Sequence, residues 1–272
     1  MAKSNKKRVN EELTEMLREL HLPTVRAEFE ATARQAENLS LSFEQYLADL
    51  VRRECEERRV NRIARLLRQS KLPPEKTLEA FEMNRIPLKV RRQVKTLLGG
   101  DFLDRAENVL VFGQSGTGKT HLLCALGQEL SRQGQKVLFT TCSLLVQELL
   151  IAKRDLKLSR TIRRFAKYDA LIIDDIGYVQ QSREEMEVLF TLLAERYERG
   201  SVLLTSNLPF SKWELIFKDP MTTAAAIDRL VHHSVILELN VGSYRLAAAK
   251  DRNQSGDENE KTCEEKPPKS AA

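Results

Sequence analysis

One eight-residue string limits the folds open to this chain more than anything else in it. Gly113-Gln114-Ser115-Gly116-Thr117-Gly118-Lys119-Thr120 follows a short apolar run, Asn108–Phe112, and opens a stretch of helical spacing. Glycines at these positions let successive backbone N–H groups turn inward around phosphate oxygens, and the positive end of the following helix adds to the attraction. Such a loop needs a strand before it and a helix after it, so it predicts an α/β fold. Lys119 is expected to neutralise the β- and γ-phosphates, and Thr120 to ligate Mg²⁺. ATP and Mg²⁺ are the implied ligands. His121, next in line, is expected to face a packed neighbour or the nucleotide base rather than to act as a catalytic base.

Beyond the loop, apolar runs alternate with helical stretches. Strands are predicted at Asn108–Phe112, Lys136–Thr141, Ala170–Asp174, Val202–Ser206 and Val235–Leu239, an alternation that calls for a parallel sheet with helices on both faces. Ligands of such sheets bind at the C-terminal strand ends. Ala170-Leu-Ile-Ile-Asp174-Asp175 is a buried run that delivers two carboxylates to that edge. Asp174 suits a Mg²⁺ held through water, and Asp175 suits the role of polarising an attacking water. Asn207 closes the Val202–Ser206 strand, where its amide would position that water; the alternative is an ordinary turn-forming Asn.

The first hundred residues have a different texture, helical with no convincing strand. Ser42-Phe-Glu-Gln45 fits a capping box, and behind it apolar residues recur at helical spacing as far as Leu66-Leu67. Pro73-Pro74 ends that helix, since neither ring donates a backbone hydrogen bond. A short basic segment runs from Leu88 to Leu98, and Gly99-Gly100 marks a predicted boundary. The expected division is therefore a helical N-terminal domain (1–100), a nucleotide-binding domain (101–250) and a polar, disordered tail (251–272).

Charge is unevenly spread. The chain carries a formal +5, yet residues 52–95 hold 14 Lys or Arg against 6 Glu. Arg52, Arg53, Arg58, Arg59 and Arg62 lie in this block. A second cluster, Lys153, Arg154, Lys157, Arg160, Arg163, Arg164 and Lys167, has only Asp155 within it. Clusters this dense suit phosphate backbones without reading bases, and aromatic residues, 6% of the chain, do not interleave with either. Duplex DNA is thus favoured over stacking on single strands, against the plainer reading of solvated helix faces. Cys55, Cys124, Cys142 and Cys263 lack metal-ligand spacing and fit a reducing cytosol. No apolar stretch approaches the roughly 20 residues that a membrane span needs, and a cytoplasmic protein is expected.

In combination these strings resemble a known group. Gly-Thr-Gly-Lys-Thr-His121-Leu, Ile-Ile-Asp-Asp-Ile-Gly177-Tyr178 and Thr205-Ser-Asn207-Leu are similar to the IstB and DnaC branch of AAA+ ATPases. Ile227-Asp-Arg229-Leu-Val-His232-His233, Gly242-Ser-Tyr244-Arg245-Leu and the N-terminal Leu20-His-Leu-Pro23 resemble IstB in particular. The resemblance implies an AAA+ parallel sheet sandwiched by helices and an all-helical N-terminal domain. It implies an ATPase that assists insertion-sequence transposition, oligomerising as a ring or helical filament on duplex DNA and delivering the target site to a transposase. Arg229 matches the position of an arginine finger acting on a neighbouring subunit, and Arg245 that of a sensor arginine on the subunit's own nucleotide. A DnaC-like helicase loader and a nucleotide-gated DNA scaffold are the alternatives. One departure stands out: many AAA+ ATPases place Glu where this chain has Asp175, one methylene shorter, which suggests slow hydrolysis.

Overall fold

The computed structural model describes residues 2–177, 182–214 and 220–244. The chain divides into two compact units between Arg65 and Leu66. The first contains helices α1 (Ala2–Glu19) and α2 (Pro23–Leu39) and most of α3 (Phe43–Ser70). Its core is small: Leu17, Phe29 and Leu50 are buried together, with Leu13, Leu22, Val25 and Tyr46 packed around them. At the start of α3 the Ser42 N–H donates to Gln45 Oε1 at 2.9 Å and the Gln45 N–H to Ser42 Oγ at 3.3 Å, the reciprocal cap that the sequence calls for. Helix α2 starts on Pro23 and has no side-chain cap of its own. Its free N–H groups are met from α3 instead. The buried carboxylate of Glu54 accepts from the amides of Thr24 (2.8 Å) and Val25 (3.1 Å) and from Arg58 Nε (2.7 Å).

The second unit holds a 3-10 turn (Met83–Arg85), α4 (Leu88–Leu97), α5 (Asp101–Asp104), β1 (Asn108–Phe112), α6 (Lys119–Arg132), β2 (Val137–Thr141), α7 (Cys142–Arg154) and α8 (Leu158–Phe165). It continues with β3 (Ala170–Ile176), α9 (Arg183–Arg196), β4 (Ser201–Ser206), a 3-10 turn (Phe210–Lys212), α10 (Pro220–Val231) and β5 (Ser234–Glu238). The strands form one parallel sheet in the order β2-β3-β4-β1-β5. Successive residues point to opposite faces. Leu110, Leu171, Ile173 and Leu204 pack beneath α7, α8, α9 and α10. Val109, Val111, Ile172 and Leu203 face α4, α5 and α6 across the other side. The predicted sandwich is the observed one.

The boundary expected near residue 100 falls elsewhere. Val90, Val94 and Leu97 lie on one face of α4, and that face packs in the same core as Leu72, Phe81, Ile86, Phe102 and the strand residues Val109 and Val111. An apolar helical face must be covered, and here the sheet covers it. Gly100 takes a left-handed φ of 85° at the start of α5, a turn within the second unit rather than a hinge between two. The expected tail, 251–272, lies outside the described residues.

Burial alone raises the pKa of Glu54, but the hydrogen bonds from Arg58, Val25 and Thr24 outweigh it and hold the carboxyl below its ordinary value. A group depressed in the folded state contributes stability above its unfolded pKa, and loses it as pH falls through the folded value. Glu54→Ala should therefore destabilise the helical unit by about 1–3 kcal/mol at neutral pH. The deficit should shrink below about pH 4, as urea unfolding followed by circular dichroism would register.

Candidate nucleotide site and basic surface

The sheet order makes β1, β4 and β3 consecutive neighbours, so the loop leaving β1, the Asp pair of β3 and the tip of β4 meet at one edge. Helix α6 opens with no side-chain cap, leaving its first N–H groups turned towards the loop. A Cβ at Gly113 would stand 2.7 Å from Leu239 O, so only glycine lets the loop leave the sheet here. Gly118 adopts φ +89°, and a Cβ there would press on the Phe81 ring at 3.1 Å. Lys119 is almost wholly buried and donates from Nζ to Gly113 O and Gln114 O, each at 2.9 Å. The Thr117 hydroxyl donates to Gln114 O, and the Tyr244 N–H to Gly116 O. The loop is thus shaped as a cradle by its own residues and by the segment after β5.

The structure brings Thr120 and Asp174 together. Thr120 Oγ1 donates to Asp174 Oδ1 at 2.8 Å, and Thr205 Oγ1 donates to the same oxygen at 2.7 Å. Thr205 also accepts the Asp175 N–H at 2.8 Å. The register of β3 against β4 slips between Ile173 and Ile176, and Asp175 in the slip has φ +64°. Aspartate tolerates this left-handed conformation better than most side chains. Asp175 thereby lines the cleft beside Asp174 and Asn207. Asn207 Oδ1 is buried and has no hydrogen-bond partner among the described residues, which is the condition of an acceptor placed for a ligand or a water. A glycine-shaped cradle and an uncapped helix start fit the phosphates of a nucleoside triphosphate, and the orphaned amide oxygen fits a water beside them. Thr120 and Asp174 would hold its Mg²⁺.

The cleft encloses about 440 Å³, with Lys76, Phe81, Glu82 and Tyr244 along one wall. His121 lies here too. Its Nε2 contacts Thr77 O at 2.9 Å and so must carry the proton, and its ring packs edge-on against Phe81. It supports the wall and has no free base at that nitrogen. Tyr244 is gripped by Arg85, whose guanidinium sits 3.9 Å above the ring. The sequence alone assigns no role in the cleft to Thr205, Phe81 or Tyr244. For Thr205 a signal existed, since a hydroxyl inside the apolar strand Val202–Ser206 needs a buried partner. Phe81 offers none, lying far ahead of the loop in the chain.

Arg229, near the end of α10, stacks its guanidinium 4.6 Å from the Phe190 ring, and its buried Nη1 has no hydrogen-bond partner among the described residues. Its carbonyl oxygen accepts from Asn108, the first residue of β1. Arg245 lies outside the described residues.

The basic clusters are partly neutralised. In the first, Arg52 pairs with Asp49, Arg53 with Glu28 and Arg58 with Glu54, while Arg59 and Arg62 are exposed along α3. In the second, Lys153 pairs with Glu187, Lys157 with Asp155 and Arg164 with Glu148. Arg154, Arg160, Arg163 and Lys167 are exposed and have no acidic partner among the described residues. Lys157, Arg160, Arg163, Arg164 and Lys167 line one open concavity of about 840 Å³ beside α8.

Strand order, loop and carboxylate pair define a P-loop nucleotide-binding domain of the AAA+ class. Residues 15–253 match the family of IstB-like ATP binding proteins, and the chain belongs to it. It is 43% identical to an insertion-sequence ATP-binding protein of Sinorhizobium fredii over 235 residues, 86% of this chain and 79% of that one. With the corresponding Geobacillus stearothermophilus protein it shares 37% identity over 238 residues, 88% of this chain and 95% of the other. A solved structure, the replication initiator DnaA bound to AMPPCP and single-stranded DNA, superposes with TM-score 0.54 at 20% identity, over 68% of this chain and 56% of that one, a likeness of fold. No described helix is long and apolar enough to cross a membrane.

Thr205→Val keeps the volume but strips the Asp174 and Asp175 contacts. It should cost about 1–3 kcal/mol of stability and weaken nucleotide binding more in the presence of Mg²⁺ than in EDTA. Titration with a fluorescent ATP analogue under both conditions would test this.

Proposed function

We propose that this protein is an ATPase that assembles on duplex DNA and passes a target site to a transposase. The observation that carries the reading is the position of Arg229. Its backbone is bonded to the first residue of β1, whereas the phosphate loop leaves the last. Those points are separated along the strand by about 13 Å, with the sheet core between them. Arg229 is therefore out of reach of its own subunit's phosphates and suited to those of a neighbour. Its unpartnered Nη1 supplies a reason to leave Phe190 when an anion is offered, because a buried guanidinium N–H without an acceptor costs about 1–3 kcal/mol.

ATP bound at such an interface would favour the assembled state, and its hydrolysis would release it. In that step Lys119 and the loop amides would hold the phosphates and Arg229 would offset the charge that develops on them. Asn207 Oδ1 would accept a hydrogen bond from the attacking water, and Asp175 would take up its proton. Mg²⁺ at Thr120 and Asp174 would supply further charge neutralisation. The unpaired cations beside α8 give duplex DNA a surface to grip without base contacts. Delivery to a transposase rests on the insertion-sequence family and on no contact described above.

Lys119→Ala should abolish Mg-ATP-dependent coating of duplex DNA in electron micrographs. Arg229→Ala should leave nucleotide affinity of the dilute subunit within about twofold but lower phosphate release by about 10³-fold or more. Mixing the two variants should restore some turnover, because an intact Arg229 then faces an intact loop. Coating that proceeds equally well without nucleotide would overturn the reading. If coating needs ATP and phosphate release with DNA is undetectable, the protein is a nucleotide-gated scaffold instead.

DNA binding should weaken steeply with salt. Four unpaired cations on four phosphates correspond to a slope of about −3.6 in log K against log salt per subunit. The double variant Arg160→Ala/Arg163→Ala should lower the magnitude of that slope by about 2, as read by fluorescence anisotropy across a salt series.

A further inference from the structure

At the edge of the sheet opposite the phosphate loop, three side chains converge that the nucleotide site does not use. Glu198 lies in the turn between α9 and β4, and His232 and His233 lie between α10 and β5. One ligand atom from each lies within 4.8 Å of the other two. The imidazole rings pack edge to face with centroids 4.1 Å apart, and His233 Nε2 is 3.8 Å from Glu198 Oε1. We propose that these three residues bind a divalent transition cation of the zinc type, clasping the α9–β4 turn to the α10–β5 turn.

The geometry favours a metal over a chance meeting of surface groups on three counts. First, the backbone that carries the ligands is fixed. The buried Asn108 donates from its own N–H to His233 O at 2.7 Å and from Nδ2 to Leu230 O at 3.1 Å, and accepts the Val202 N–H at 2.9 Å. One side chain therefore sets the separation of the two turns, which lie either side of β1 in the sheet. Second, Glu198 reaches its place with a left-handed φ of 57°, a conformation that glycine would adopt at less cost. Third, Tyr197 Oη is 2.9 Å from His232 Nδ1. When Nδ1 carries the proton it donates to the phenol oxygen and frees Nε2 as a metal ligand, an outer contact of the sort that orients ligating histidines.

Two imidazoles and one carboxylate match the borderline softness of Zn²⁺, and Mg²⁺ and Ca²⁺ favour all-oxygen sites. Three protein ligands leave a fourth position for water or for a group from another molecule. All three side chains are exposed, which leaves them free to rotate and draw donors that already lie within 4.8 Å of one another around one ion. His232 lies three residues beyond Arg229 on the same stretch of chain. An ion held here would tether the end of the helix that carries that arginine.

The test is a titration of the metal-stripped full-length protein with Co²⁺, followed by visible absorption, and with Zn²⁺ against a chromophoric chelator. We expect one ion per chain with a nitrogen and oxygen spectrum of low coordination number. His232→Gln and Glu198→Gln should each weaken it by at least the roughly 10–100-fold that losing an outer contact costs, and His21→Gln should not change it. An excess of Mg²⁺ should not compete. Circular dichroism and nucleotide titration of each variant separate loss of the ion from loss of the fold. An affinity unchanged by His232→Gln and Glu198→Gln would overturn the proposal. So would a thiolate charge-transfer band reporting the exposed Cys55, or the absence of binding to a folded chain.

Discussion

The Asp174 carboxylate is the point on which the nucleotide edge of this protein turns. It is buried at the end of β3 and bonded through one oxygen to hydroxyls from α6 and β4. A buried carboxylate without partners would be expelled or protonated. Thr120 and Thr205 supply those partners, between the loop and the strand that leads to Asn207. The two threonines reach it only because β4 lies between β1 and β3. Strand order, hydroxyl placement and carboxylate burial therefore form one arrangement, and the orphaned amide of Asn207 is its open end.

Asp175 illustrates how a local constraint selects a residue type. In sequence it reads as a shortened acid where many AAA+ ATPases carry glutamate. In the structure it occupies a slip in the β3–β4 register with positive φ, its N–H held by Thr205. Short polar side chains are the ones that tolerate that backbone. The missing methylene and the strand irregularity are thus two sides of one geometry: the backbone turns the carboxylate into the cleft without a longer arm.

Much of this was readable from the chain. Every predicted strand lies within a residue or two of the observed one, because apolar runs set between helices leave few other solutions. Thr120 and Asp174, 54 residues apart, meet at one strand edge, where loop and strand patterns of this kind place their residues. The misplaced boundary has a simple cause. Val90, Val94 and Leu97 announce an apolar face on α4, but helical spacing does not say which surface covers it. Counting local charge had a similar limit. Arg53, Lys153 and Arg164 are met by Glu28, Glu187 and Glu148, all distant in sequence. What remains uncompensated, Arg154, Arg160, Arg163 and Lys167, is a subset that only the fold could pick out.

The bond between Asn108 and the Arg229 carbonyl has a consequence for counting. It anchors the arginine at one end of β1 while the loop departs from the other, so in the proposed assembly each subunit would offer a donor pole and a receptor pole. Contacts joining unlike poles are head-to-tail, and they close only if the rotation between subunits permits it. In an open row of n subunits joined as proposed, the complete sites would number n − 1, with one bare loop and one idle arginine at the extremities. A short row would carry proportionally more of these incomplete ends than a long one.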